Sequence, residues 1–245
     1  MSMQVRAGKP IKAKVLTKHE EAGAPIVSAR RKILTWYRAN GREFPWRHTS
    51  NPYHILVAEM MLRRTQAKQV TGVYRRFVSK YPSIGTLSAA GSGELAGILK
   101  PLGLEWRNAN FRQLAAKVTN GSCGKLPEDR HRLLAVKGIG PYVADSILCH
   151  AYGRRCLPVD VNIVRVLSRI LGRPYRDSTR RSAEFLRIAA ATVPRTAGSA
   201  RSWHYALLDF AAMICRSPEP LCHQCPVRSG CSYYKNSRQR RTDSE

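Results

Sequence analysis

Acidic residues and long apolar runs are both scarce in this sequence of 245 residues. Its 42 lysines and arginines exceed its 16 aspartates and glutamates to give a formal net charge of +26, which implies a polyanionic partner. Nucleic acid is the first candidate and an anionic membrane surface the second. No stretch approaches the ~20 apolar residues of a membrane-spanning helix. No apolar core follows the basic N-terminal residues, so we expect no signal peptide. We therefore expect a soluble, intracellular protein.

Period-2 alternation of apolar and polar residues, the pattern of a β-strand, is missing too, and no internal repeat occurs. Apolar residues recur instead at helical spacing, which predicts an all-α fold. The predicted helical segments are 26–39, 53–63, 67–80, 92–100, 106–118, 129–136, 142–151, 161–171, 180–192 and 199–214. Residues 1–24 and 235–245 are polar and basic, so we predict a flexible arm and a disordered tail.

Cysteines are few and odd in number, seven in all, which does not suit a secreted disulfide framework. Four of them, Cys215, Cys222, Cys225 and Cys231, follow the spacing C-x6-C-x2-C-x5-C. Iron–sulfur clusters are commonly held by four cysteines, whereas a structural zinc site usually has two C-x2-C pairs, and only one occurs here. The spacing favours an iron–sulfur cluster, with zinc and unmetallated thiols as alternatives.

A glycine turn joins two of the helical segments at Lys137-Gly138-Ile139-Gly140, just before Pro141. Glycines at the start of a helix leave backbone N–H groups free to bind phosphate oxygens without base preference. The alternative is an ordinary corner between two helices. The high positive charge favours the phosphate-binding interpretation.

Two carboxylates stand in apolar surroundings. Glu59 is the only charged residue between Ile55 and Leu62, and the stripe around it would turn its side chain to the interior. Alternatively, Glu59 forms an ion pair with Arg63, four residues further along the helix. Asp160 begins an amphipathic helix, so an N-cap is the default interpretation. Capping is compatible with catalysis, because an ionised carboxylate near a sugar stabilises oxocarbenium charge.

Taken together, these motifs resemble the helix-hairpin-helix DNA glycosylase superfamily, in its endonuclease III-like iron–sulfur branch. The resemblance runs in the family's order from about residue 27 to 234. It is carried, besides the cysteine spacing, by Phe44-Pro45-Trp46-Arg47, Glu59-Met60-Met61-Leu62-Arg63-Arg64-Thr65, Lys137–Tyr142, Val159-Asp160-Val161-Asn162 and Leu208–Cys215.

The resemblance implies a two-lobed fold with a cleft between the lobes. A six-helix lobe with the hairpin would hold residues 52–154. Residues 25–51 and 155–234 would form the second lobe, which carries the four cysteines and, by resemblance, a [4Fe–4S] cluster. The partner would be double-stranded DNA with a mismatched or damaged base, flipped into the cleft. A monomer associated with DNA, in cytoplasm, nucleoid or nucleus, is expected.

The resemblance also implies the chemistry. Asp160 corresponds to the family's catalytic carboxylate. Tyr142 stands where lyase members have a lysine that attacks the sugar as a Schiff-base nucleophile, so we predict a monofunctional glycosylase of base excision repair. Tyr142 together with Arg63-Arg64-Thr65 resembles the thymine/uracil glycosylases that act on G·T and G·U pairs.

Two alternatives stay open. Adenine DNA glycosylases, which act on adenine opposite guanine or 8-oxoguanine, are similar in the Phe-Pro-Trp-Arg and Glu59 motifs but typically have serine at position 142. A non-catalytic iron–sulfur DNA-binding protein would keep the scaffold without the chemistry. A zinc-stabilised RNA-binding protein is disfavoured, because the aromatic content is only 8% and no stacking motif occurs.

Each remaining candidate has a hypothetical role. The amides of Gly138 and Gly140 would hold a phosphate. Tyr142 would pack on or hydrogen-bond to the flipped base, and a protonated Glu59 would donate a hydrogen bond to it. The residues Arg63, Arg64 and Gln66, which follow the Glu59 helix, would enter the minor groove. The alternative for the two arginines is a solvated basic face.

Five further residues are interpreted as structural. Trp46 would be a buried aromatic anchor, and Asp209 a carboxylate bonded to nearby backbone or arginine. Cys123, Cys149 and Cys156 lack ligand spacing and are expected to be buried thiols.

Overall fold

The computed structural model describes residues 18–242, apart from residues 104–105, 123–124 and 197. This part of the chain contains helices and no strand, which confirms the all-α class. Its α-helices are α1 (Lys18–Asn40), α2 (Pro52–Leu62), α3 (Ala67–Lys80), α4 (Ile84–Ser88), α5 (Ser92–Leu99), α6 (Trp106–Ser122), α7 (Arg130–Ala135), α8 (Pro141–His150), α9 (Val161–Leu171), α10 (Ala183–Ala191), α11 (Ser199–Met213) and α12 (Ser232–Thr242). None of these described helices has the length and apolar character needed to cross a bilayer.

Every predicted helical segment coincides with an observed helix, and the described part of residues 52–154 has seven α-helices where six were predicted. The additional one, α4, has five residues and is too short to show a helical period. It is stabilised by a capping box, in which the Ser83 hydroxyl accepts from the Thr86 N–H and the Thr86 hydroxyl accepts from the Ser83 N–H.

Helix α1 begins at Lys18, inside the segment 1–24 that was predicted to be a flexible arm. Its first turns are held by packing: Gly23 is buried, and a β-carbon built there would lie 3.6 Å from the Ile188 carbonyl oxygen and 3.7 Å from the Thr192 methyl group. Because this contact joins α1 to α10, apolar periodicity within α1 could not reveal it. Residues 1–17 lie outside the described part of the chain.

The predicted disordered tail was wrong up to Thr242, because α12 occupies residues 232–242. Two tyrosines anchor the start of this helix. The Tyr234 side chain packs against the apolar core, and the Arg169 guanidinium lies 4.8 Å from the centre of the Tyr233 ring. Although its sequence is basic and polar, the start of α12 is therefore held in place by contacts with α9 and the apolar core.

The apolar core of the described residues falls into two clusters. Helices α2 to α8 build the first, which Trp46 joins as a buried residue. Helices α1, α9, α10 and α11 build the second. We propose that these clusters are the cores of the two predicted lobes. Trp46 is the anchor that the sequence predicted, since its ring stacks on Phe44 at 4.9 Å between centroids.

Candidate active site

One pocket brings together the three residues predicted for catalysis, Glu59, Tyr142 and Asp160. They come from the middle of α2, the first turn of α8 and the residue before α9. The pocket thus lies where helices of the first core cluster meet a helix of the second. Its other lining residues are Arg42, Phe44, Trp46, Arg47, Leu62, Arg63, Thr65, Ala67, Val143, Asn162, Tyr205, Leu208 and Ala212.

Glu59 sits in an apolar helix whose neighbouring side chains Ala58 and Met60 are buried. Burial raises the pKa of the Glu59 carboxyl to about 7, and the negative charge of Asp160 adds to the increase. The Ser146 hydroxyl and the Arg63 guanidinium lower this pKa, but by less. Near neutral pH the carboxyl is therefore present in both protonation states, as a general acid requires.

Asp160 is the N-cap of α9, which confirms the local structure predicted for it. Its Oδ1 atom accepts a hydrogen bond from the Ile163 N–H at 2.8 Å, and its Oδ2 atom accepts one from the Asn162 side-chain amide at 2.7 Å. Both carboxylate oxygens therefore have donors, and the side chain is held in one orientation at the pocket.

Asn162 is in turn held from behind by Arg165, a buried arginine. The Asn162 Oδ1 atom accepts from Arg165 Nη1 at 3.0 Å. The same guanidinium donates to the carbonyl oxygens of Cys215 at 2.9 Å and of Ala211 at 3.0 Å. The orientation of Asp160 thus depends on how α9 packs against the end of α11, where the first predicted cluster ligand lies.

Tyr142 faces both carboxylates across the pocket. Burial raises the pKa of its hydroxyl well above the usual value, and the negative charges of Glu59 and Asp160 raise it further. The hydroxyl is therefore neutral at physiological pH and able to donate a hydrogen bond.

A pair of buried histidines that the sequence did not single out supports the tyrosines of the pocket. His150 Nε2 and His204 Nδ1 are 2.9 Å apart. Burial lowers the pKa of His204 to about 3, with the charge of Arg47 acting in the same direction. The pair is therefore neutral. The His150 ring stacks on the Tyr205 ring at 4.4 Å, and the His204 ring lies 6.0 Å from that of Tyr142.

Asp209 has the structural role that the sequence predicted. Its carboxylate is fully buried and accepts two hydrogen bonds from the Arg47 guanidinium, each at 2.8 Å. It accepts two more, at 2.7 Å, from the backbone N–H and the Nε atom of Arg42. Although burial opposes ionisation, these contacts lower the pKa of Asp209. The ion pairs orient both arginines at the edge of the pocket.

The glycine hairpin between α7 and α8 has the geometry that its sequence requires. Gly138 has φ of +102°, a conformation that side-chain-bearing residues rarely adopt. Ile139 is buried in the first core cluster and anchors the turn, whereas Lys137 is exposed. Gly140 is the N-cap of α8, so the start of that helix opens onto the surface beside Tyr142.

The loop between α2 and α3 carries the predicted minor-groove residues. Arg63 donates to the Gly138 carbonyl oxygen at 2.8 Å, which ties this loop to the hairpin. Arg64 is exposed and has φ of +57°, a left-handed conformation that costs about 1–2 kcal/mol for a residue with a side chain. Gln66 is exposed at the N-cap of α3. The three predicted residues therefore share one loop beside the pocket.

A second pocket adjoins the first and shares Arg63, Tyr142 and Asp160 with it. Two of its lining residues, Arg180 and Arg181, were not predicted. They lie on the 3-10 turn Asp177–Arg181, where the Asp177 carboxylate pairs with Arg180 at 2.9 Å and with Arg181 at 3.5 Å. Basic pairs are frequent in this sequence, so nothing distinguished this one before folding.

The four spaced cysteines line one pocket at the end of α9 and α11. The Cys231 thiol faces the Arg169 carbonyl oxygen at 3.4 Å, and Arg169 Nη1 lies 3.5 Å from the Cys215 sulfur. Burial raises the thiol pKa of Cys222, and the neighbouring sulfurs of Cys231 and Cys215 raise it further. Within the described residues, no group of three His, Cys, Asp or Glu side chains is placed to hold a metal ion. The four cysteines thus share a pocket without forming a preorganised metal site, and a metal centre bound there would require their thiolate forms.

The known proteins that this chain resembles include thymine/uracil-DNA glycosylases and adenine DNA glycosylases. The chain is 35% identical over 204 residues to the thymine/uracil-DNA glycosylase of Methanothermobacter thermautotrophicus, covering 83% of this chain and 91% of the relative. A solved structure of a thermostable thymine-DNA glycosylase matches with a TM-score of 0.81 at 34% identity, over 88% of this chain and 98% of that one. The adenine DNA glycosylase of Buchnera aphidicola is 30% identical, over 84% of this chain but 58% of its own length.

The family model for the HhH-GPD superfamily of base excision DNA repair proteins matches residues 57–190. This range contains Glu59, Tyr142 and Asp160, together with the hairpin between α7 and α8. The family, the relatives and the all-α fold agree with the resemblance that the motifs indicated. This chain therefore belongs to the HhH-GPD superfamily of base excision DNA repair proteins and is a DNA glycosylase of that group.

Proposed function

We propose that this protein is a monofunctional DNA glycosylase that hydrolyses the N-glycosidic bond of a thymine or uracil mismatched with guanine. The observation that carries the proposal is the single pocket in which Glu59, Tyr142 and Asp160 meet. The similarity to a thymine/uracil-DNA glycosylase over 83% of the chain supports the choice of base.

The target base would enter this pocket after leaving the duplex, because a stacked base is out of reach of catalytic groups. The neutral phenol of Tyr142 would pack on the base or hydrogen-bond to it. Thymine departs as an N1 anion, so donors to its carbonyl oxygens lower the barrier to departure. Glu59 would be such a donor when protonated, as its pKa of about 7 allows.

Asp160 would act on the sugar. Its carboxylate charge would stabilise the oxocarbenium-like transition state and orient the attacking water. By the resemblance, Tyr142 would occupy the position of the family's lyase lysine, and a phenol cannot form an imine with the sugar. Water would therefore be the nucleophile, and the product would be a strand with an intact abasic site.

DNA would be held on both sides of the flipped nucleotide. The amides of Gly138 and Gly140 would bind a phosphate, with Lys137 nearby and Ile139 fixing the turn from inside. Arg63, Arg64 and Gln66 would enter the minor groove and fill the space that the base leaves. We further propose that the protein acts on DNA as a monomer.

A [4Fe–4S] cluster is proposed for the cysteine pocket, with Cys215, Cys222, Cys225 and Cys231 as its ligands. Glycosidic hydrolysis moves no electrons, so the cluster would supply a cross-link that fixes this end of the chain. Arg169 and Arg165 would hold the loop against α9 whether or not the cluster is bound. Broad visible absorption with stoichiometric iron and sulfide tests the assignment, and stoichiometric zinc instead would contradict it.

The test of the activity uses end-labelled duplexes with G·T, G·U, A·G and adenine opposite 8-oxoguanine, each analysed with and without alkali. We expect cleavage of the thymine or uracil strand only after alkali. Cleavage without alkali would contradict the monofunctional mechanism. Cleavage of the adenine strand would replace the proposed substrate by that of the adenine DNA glycosylases. Binding of every duplex without cleavage would support a non-catalytic DNA-binding protein.

A further inference from the structure

Two cysteines outside the active site and the proposed cluster meet at the junction of the core clusters. Cys149 lies in the last turn of α8, and Cys156 lies in the segment that leads to Asp160. Their side chains lie close enough for each thiol to change the pKa of the other. The Cys156 thiol also donates to the backbone carbonyl oxygen of Asp145, with 3.5 Å between sulfur and oxygen.

The path of the backbone explains why Cys156 lies close to Cys149. Asp145 precedes Cys149 by one helical turn, so in α8 its carbonyl also accepts the N–H of Cys149. The Cys156 sulfur therefore lies beside the backbone of Cys149. The intervening chain folds back over the helix end, where the Arg154 N–H donates to the Leu148 carbonyl at 2.9 Å. This chain reversal brings the Cys156 side chain beside the helical turn that contains Cys149.

The two thiols differ in access and in charge. Cys149 is 1% exposed, whereas Cys156 is only partly buried. Contact with Cys149 lowers the pKa of Cys156 and the positive charge of Arg130 acts in the same direction, although burial opposes them. The same contact, together with burial, raises the pKa of Cys149. Cys156 is thus the thiol that meets an oxidant first, and Cys149 is the buried thiol behind it.

We propose that Cys149 and Cys156 form an oxidant-sensitive dithiol site that closes reversibly to a disulfide, with a hydroperoxide as the oxidant. The Cys156 thiolate attacks one oxygen of hydrogen peroxide, so that an S–O bond forms, the O–O bond breaks, and the leaving hydroxide takes up the proton that the thiol released. The Cys149 thiol then attacks the sulfenic sulfur, the S–S bond forms, the S–O bond breaks, and the departing hydroxide takes the proton of the Cys149 thiol to become water. Two thiols and one peroxide give one disulfide and two waters, and a small dithiol reverses the reaction.

Closure would link both walls of the active site. The disulfide would join the end of α8, the helix that carries Tyr142, to the segment that ends at Asp160. It would also protect Cys156, because a neighbouring thiol converts a sulfenic acid into a disulfide before irreversible oxidation to the sulfinic acid.

The sequence allows a direct test, because trypsin separates the two thiols. Cleavage after Lys137, Arg154, Arg155 and Arg165 places Cys149 in peptide 138–154 and Cys156 in peptide 156–165. The full-length protein, with any bound metal, is treated with a small excess of hydrogen peroxide, alkylated and digested without reduction. We expect the two peptides to appear linked, with a mass two hydrogens below their sum. The linked species should be absent before oxidation and after treatment with dithiothreitol.

Two variants test the order of the steps. Cys149→Ser should leave Cys156 as a sulfenic acid that dimedone labels, whereas Cys156→Ser should leave Cys149 unlabelled. Conversion of wild-type Cys156 to the sulfinic acid without the linked peptide would overturn the proposal, as would links that join either thiol mainly to another cysteine. The wild-type digestion needs no variant, so the test stands even where a variant does not fold, and it is independent of the base that the enzyme excises.

Discussion

The two carboxylates of the pocket occupy opposite environments. Glu59 lies in the middle of an apolar helix of the first core cluster, where burial raises its pKa to about 7. Asp160 begins a helix of the second cluster, where both of its oxygens accept hydrogen bonds. One wall of the pocket therefore favours a proton donor and the other a hydrogen-bonded carboxylate. Such a difference in surroundings is how two chemically similar groups take different roles in one site.

The comparison predicts its largest effect for Asp160→Asn. Asparagine keeps an oxygen that can accept the Ile163 N–H, so α9 stays capped while the negative charge at the sugar is lost. We expect the single-turnover excision rate on the preferred substrate to fall by about 10²–10⁴-fold, with the dissociation constant for DNA nearly unchanged.

The matched control is Asp129→Asn. Asp129 caps α7 in the same way, since its side chain accepts from the Arg132 N–H at 2.9 Å, but it lines neither pocket. This variant should excise at the wild-type rate. Full activity in Asp160→Asn would remove Asp160 from the mechanism.

Glu59→Gln tests the other wall. If the protonated carboxyl is the donor, the wild-type rate should fall about tenfold between pH 6 and pH 8, because the protonated fraction of a group with a pKa near 7 falls by that factor. Glutamine donates a hydrogen bond without titrating, so the profile of the variant should be flat over this range. Both pH profiles are measured as single-turnover excision rates between pH 6 and pH 8.

The control for the pH series is Glu94→Gln, at an exposed carboxylate whose pKa is lowered mainly by a hydrogen bond from Lys80. It should keep the wild-type profile. If the excision rate of Glu59→Gln declines above pH 7 as the wild-type rate does, then the titrating donor is a different group. The contrast between a proton-donating Glu59 and an ionised Asp160 would then be wrong.

Asn162→Ala weakens the hold on Asp160 without removing it. The variant loses the hydrogen bond to Asp160 Oδ2 and the link to Arg165. We expect the excision rate at saturating enzyme to fall by about fivefold, the factor that corresponds to one hydrogen bond of about 1 kcal/mol, with little change in DNA affinity. Asn40→Ala, at an exposed asparagine bonded to the Trp36 carbonyl, is the control. An equal loss in both variants would show that the Asn162 contact does not position Asp160.

The smallest effect on the rate is expected for Arg180→Ser combined with Arg181→Ser. If both arginines contact phosphates, the slope of log affinity against log salt should decrease by about one for each. Excision at saturating enzyme should not change. The pair Arg75→Ser and Arg76→Ser on α3, which line neither pocket, should leave the slope unaltered. Equal slopes for both double variants would place the turn Asp177–Arg181 away from the DNA.

Local features of the site could be predicted because their causes are local. The cap by Asp160 depends on residues within three positions of it, and the turn at Gly138 depends on the conformation that glycine allows. Helix α2 follows from its own apolar stripe. The link from Asn162 through Arg165 to Cys215 joins residues about 50 apart, and the pair His150–His204 spans 54. No local pattern encodes such contacts.

The sequence by itself determined most of the helices, the hairpin, the cysteine spacing and the basic surface, since periodicity, glycine conformation and charge act over a few residues. Tertiary structure alone decided that Glu59 and Asp160 share a pocket, that Arg180 and Arg181 adjoin it, and that Cys149 meets Cys156. The elevated pKa of Glu59 belongs to this second group, because desolvation depends on which side chains exclude water from the carboxyl. The residues that the sequence predicted for the site thus come together only because the two apolar clusters pack against each other.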